Sequence, residues 1–62
     1  MNEPIIISKK INILEVDELS SVLALITACL KELGADNITP ANHGLKAWDI
    51  LIKKSIALIV CG

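Results

Sequence analysis

The chain alternates between two hydrophobic patterns. From Lys10, KINILEV sets β-branched and aliphatic residues over a strand's length, and Asp17 closes the run. In ELSSVLALITACLKELG, the apolar residues Leu19, Val22, Ile26, Cys29, Leu30 and Leu33 recur at the three-and-four spacing of a helix face. Gly34 supplies the stop signal of this helix, and Lys31 places a cation in its last turn. ADNIT then predicts a short strand, held at an edge because Pro40 lacks an amide donor. LKAWDILIKK predicts a second helix with Leu45, Trp48, Leu51 and Ile52 facing the core and Lys46, Asp49 and Lys53 facing outward. SIALIVCG closes the series as a nearly continuous apolar run, the pattern of a strand covered on both faces.

Strand, helix, strand, helix, strand is the order that builds parallel sheets through right-handed crossovers. The expectation is therefore an α/β unit, βαβαβ, with a three-stranded parallel sheet in the order 2-1-3 and one helix on each face. It occupies residues 10–62. Residues 1–9 form an extension whose PIIIS segment is β-prone and fits either a longer first strand or a strand added at an edge.

Composition adds a surplus to this picture. A 62-residue chain hides only about 60% of the surface it exposes when unfolded. Yet 53% of its residues are hydrophobic and 2% aromatic, more aliphatic surface than one small core covers, which points to contact with another chain. The net charge of −1 and scattered lysines give no basic stripe, so nucleic acid is not an expected partner. Cys29 and Cys61 fall inside apolar patterns and read as buried thiols of a reducing compartment. The start MNEPIIISKK lacks a signal peptide's basic head, and no apolar stretch approaches the roughly 20 residues that cross a bilayer. Cytoplasmic placement without a membrane partner is expected.

With KINILEVDE as strand and acidic pair, LKELGADN as a helix end, NHGLKAW as a helix entry and IALIVCG as third strand, residues 10–62 resemble the first half of a response-regulator receiver domain. That family has the CheY-like, flavodoxin-type fold of two-component signalling. The resemblance implies half of a doubly wound sheet. It also implies an acidic pair, here Asp17 and Glu18, that holds magnesium beside an aspartate at the end of the third strand. The cation offsets repulsion between carboxylates and incoming phosphoryl oxygens. The acceptor position here is Gly62, which has no side chain to phosphorylate. The fourth and fifth strands, with the family's hydroxyl and lysine residues, are expected to be missing. The resemblance thus implies the fold and argues against the activity.

Asp17 and Glu18 are accordingly expected to start the first helix, where carboxylates favour the exposed amides. They would be a vestigial metal site with weak magnesium affinity at most, since no further carboxylate or phosphate joins them. Glu15 is a charge within the central strand, so its side of the sheet should be wet or paired. Leu23, Ala24, Thr27 and Ala28 are placed on the first helix's outward face, and His43 on the surface without ligand partners. No nucleophile with a base and no glycine-rich phosphate loop appears.

The function that follows is a non-enzymatic, phosphorylation-incompetent receiver-like module without cofactor. It would act by protein contact with a signalling partner and complete its fold as a homodimer. Leu23, Ile26, Leu30, Ile56, Leu58 and Val60 are the expected interface residues. The competing reading is the front part of a magnesium-dependent phosphoacceptor receiver that needs a missing or separate C-terminal half.

Overall fold

The computed structural model describes residues 10–62, so PIIIS and the rest of the 1–9 extension lie outside the described residues. The elements are β1 (Asn12–Val16), α1 (Ser20–Glu32), β2 (Asn37–Ala41), α2 (Gly44–Lys53) and β3 (Leu58–Cys61). They form one three-stranded sheet in the order β2-β1-β3, and both pairings of β1 are parallel. Ile13 lies opposite Ile38 and Leu58, and Val16 opposite Ala41 and Cys61. This is the βαβαβ arrangement of half a flavodoxin-like fold.

Side chains alternate across a strand, so Ile13 and Leu14 enter different layers. Ile13 packs with Leu30 and Ala35, ringed by Ile11, Ile26, Ile38 and Val60, beneath α1. Leu14 packs with Ala41 and Ala47, ringed by Val16, Ile50, Leu51 and Ile56, beneath α2. The central strand is thus the shared wall of two thin cores.

Gly34 ends α1 as its position in the sequence predicts. It adopts a positive φ of 101°, a conformation that costs glycine no Cβ clash. The Ala35 amide donates to Leu30 O and the Gly34 amide to Lys31 O, both at 3.0 Å. That pair of bonds is a Schellman motif, and its usual apolar contact is supplied by Leu30 against Ala35. Strand β2 runs one residue past Pro40, to Ala41. Its edge position accommodates proline's missing donor.

Several side chains face otherwise than the spacing predicts. In α1 the row turned to the sheet includes Leu23, Thr27 and Leu30, so Leu23 and Thr27 are not outward and Cys29 is exposed. The helix is apolar around most of its girth, and the face turned to the sheet also carries a polar contact described below. In α2 the small Ala47 is buried against Leu14 and Ala41, a close approach that turns Trp48 (64% exposed), Leu45 and Ile52 to solvent. Strand β3 is not covered on both faces: α1 packs on β1 and α2 on β1 and β2. Leu58 and Ile59 are therefore exposed, as is Cys61.

Candidate functional site

The carboxyl ends of parallel strands are where ligands bind in open α/β sheets, and there the sequence places its acids. Val16, Ala41 and Cys61 are level at this edge. Beyond them the Asp17 amide donates to Ala41 O at 3.1 Å, and the Gly62 amide donates to Val16 O at 3.0 Å. These two bonds carry the ladder one step past the strands and set Asp17 beside Gly62. A Cβ built on Gly62 would lie 1.7 Å from Asp17 Oδ2.

Asp17 and Glu18 are divided in role. Asp17 Oδ1 accepts from the Leu19 amide at 2.9 Å, an i to i+2 bond that shapes the turn between β1 and α1. Glu18 is exposed. The acids do not cap the helix as expected: Leu19 is the N-cap residue, no side chain bonds the first amides, and the first turn holds no acid.

The receiver resemblance implies magnesium at this edge, and the donors do not fit it. Asp17 already holds an amide through one oxygen, and no carboxylate stands at Gly62. Among the described residues no group of three or more His, Cys, Asp or Glu could hold a metal ion, and no cavity forms. Magnesium held by one or two carboxylates depends on waters and substrate phosphates for its remaining oxygens.

His43 is exposed, as its sequence context predicts, but it has a task that spacing does not reveal. It is the N-cap of α2, with Nδ1 accepting from the Lys46 amide at 3.2 Å. A hydrogen-bonding residue three places before a helical amide was the available signal.

Glu15 is neither wet nor ion-paired. Its side chain is 0% exposed, Oε1 accepts from the Thr27 hydroxyl at 2.5 Å, and Oε2 has no hydrogen-bond partner. The alternation of β1 puts Glu15 on the same face as Ile13, under α1. This contact lies on the side of α1 that meets the sheet, with Leu23 and Leu30.

Of the six expected interface residues, Leu23 (8% exposed) and Leu30 (7%) are consumed inside the chain. Ile26 and Val60 border the Ile13 layer, and Ile56 borders the Leu14 layer, each half-buried. Only Leu58 stands exposed, joined by Ile59, which the sequence reading did not single out. No helix among the described residues is long and apolar enough to cross a membrane.

Three parallel strands in the order 2-1-3, with an acid after β1 lying against the end of β3, define half of a flavodoxin-like α/β unit. No family model matches the chain, and no solved structure does. Chemotaxis protein CheY homologs from three strains of Campylobacter jejuni subsp. jejuni, of serotypes O:23/36, O:6 and O:2, are each 42% identical to it over 41 residues. That match covers 66% of this chain and 32% of each relative. In sequence and in fold the chain is CheY-like, and it spans about a third of the length of the curated relatives it matches.

Proposed function

We propose that the chain is a non-catalytic, phosphorylation-incompetent receiver-like signalling module that works through protein contact and self-associates. The carrying observation is the end of β3, where Gly62 offers no oxygen to a phosphoryl group and lies against Asp17. Self-association is supported by β3, an edge strand among the described residues with Leu58 and Ile59 exposed. Unpaired amides and carbonyls beside apolar side chains form a template for another strand. A two-fold pairing of β3 with its copy gives one continuous six-stranded sheet. The relatives' name makes chemotaxis signalling the first setting in which to seek a partner.

The share of the relatives that the chain spans favours one second reading, a front half completed by a separate C-terminal half. Incubation with magnesium and acetyl phosphate, followed by intact-mass spectrometry, tests the proposed module. The proposed module stays at its unmodified mass, and a covalent phosphate on the chain refutes it.

A further inference from the structure

Gly62 and Asp17 compete for one space. A Cβ on Gly62 would stand 1.7 Å from Asp17 Oδ2, 2.8 Å from its Cγ and 3.4 Å from its Cβ, and real Cβ contacts under 3.0 Å are essentially never seen. Gly62 is not in the left-handed region, since only Gly34 has a positive φ. What glycine supplies at 62 is therefore an absent side chain, not backbone freedom. The Asp17 side chain is held where it is by the Leu19 amide on Oδ1 at 2.9 Å. Its backbone is held by Ala41 O, and that of Gly62 by Val16 O.

We infer that Asp17 is a structural carboxylate, which fills the volume at the end of β3 and braces the β1–α1 turn, and is not a divalent-cation ligand. Glycine at 62 leaves open the space that the Asp17 carboxylate occupies. A Cβ at 62 makes the Asp17 carboxylate shift from the position in which it accepts from Leu19, and weakening of that bond is the expected cost. A hard cation needs several oxygens free to converge on it. Here one Asp17 oxygen is bonded to an amide, the other is wedged against Gly62, and Glu18 is exposed. This assignment deepens the phosphorylation-incompetent reading of the same edge, and it stands whether or not the chain self-associates.

Two measurements on the full chain test it. In amide NMR spectra, millimolar magnesium is expected to give no saturable shift, and manganese no saturable broadening, at residues 16–19 and 61–62. In a double-mutant cycle, Gly62→Ala is expected to lower the folding constant about tenfold with Asp17 present and about twofold or less beside Asp17→Ala. Saturable broadening centred on Asp17 and Glu18 overturns the assignment. So does an equal cost of Gly62→Ala in both backgrounds. Should Gly62→Ala alone fail to fold, recovery of folding in the double variant supports the assignment, and failure there too overturns it. Metal binding would leave Gly62 as it is, so this failure is distinct from that of the phosphorylation-incompetent reading, which only covalent phosphate refutes.

Discussion

The Thr27 hydroxyl donates to Oε1 of Glu15 at 2.5 Å, joining α1 to the central strand through a carboxyl group with no exposure to water. An unsatisfied polar atom in such a place costs more than the bond itself contributes. Thr27→Val leaves Glu15 buried without a partner and is expected to lower stability by about 1–3 kcal/mol. Glu15→Leu with Thr27→Val removes both polar ends and is expected to be neutral or stabilising. Urea denaturation of the three proteins checks this, and a double variant weaker than Thr27→Val would contradict it.

A second prediction concerns the start of α2. His43 serves the Lys46 amide, so His43→Ala is expected to cost about 1 kcal/mol, while His43→Asp or His43→Ser retains an acceptor and most of the stability. Thermal melts followed by circular dichroism report the order. If alanine matches aspartate, the cap contributes nothing.

The face of α2 gives a third. Trp48 is 64% exposed although it is the largest apolar side chain in the chain. Trp48→Ala is expected to change stability by no more than about 0.5 kcal/mol, as exposed positions do. Ala47→Leu, by contrast, forces bulk between α2 and the Leu14 layer and is expected to cost about 1–3 kcal/mol. Chemical denaturation of both variants tests the orientation, and the reverse ranking would place Trp48 inside.

The β3 edge gives a fourth. Sedimentation over a concentration series is expected to show a mass above that of one protomer, falling towards it on dilution. Ile59→Lys is expected to shift the curve towards the protomer without loss of helical signal, because a charged edge resists strand pairing. A folded protomer at every concentration would refute self-association.

The helices were legible from their three-and-four spacing and the strands from short β-branched or apolar runs, and the glycine at 34 marks one boundary in chemical terms. Facing was legible only in part. Helix α1 carries Val22, Leu23, Leu25, Ile26 and Leu30 around its girth, so spacing alone offers several equivalent rotations. A polar contact on the buried face joins residues twelve positions apart, Glu15 and Thr27, and local pattern does not encode it. In α2 the rule that large apolar residues go inside failed at Trp48. A helix meets the sheet more closely over an alanine, and Ala41 lies opposite to receive it. At the edge of the sheet, the acidic pair was found from the sequence. The use of Asp17 to hold Leu19 depended on turn geometry, and the crowding at Gly62 on the parallel register of β1 and β3.

Because Ile13 and Leu14 are consecutive residues heading opposite layers, five residues of one strand separate the two apolar layers of residues 10–62. Loosening either helix wets one side of the same short ribbon, so damage to one layer is felt at once by the other. Amide protons of residues 13–16 should therefore outlast those of both helices in deuterium exchange, and the helices should lose theirs at rates close to one another.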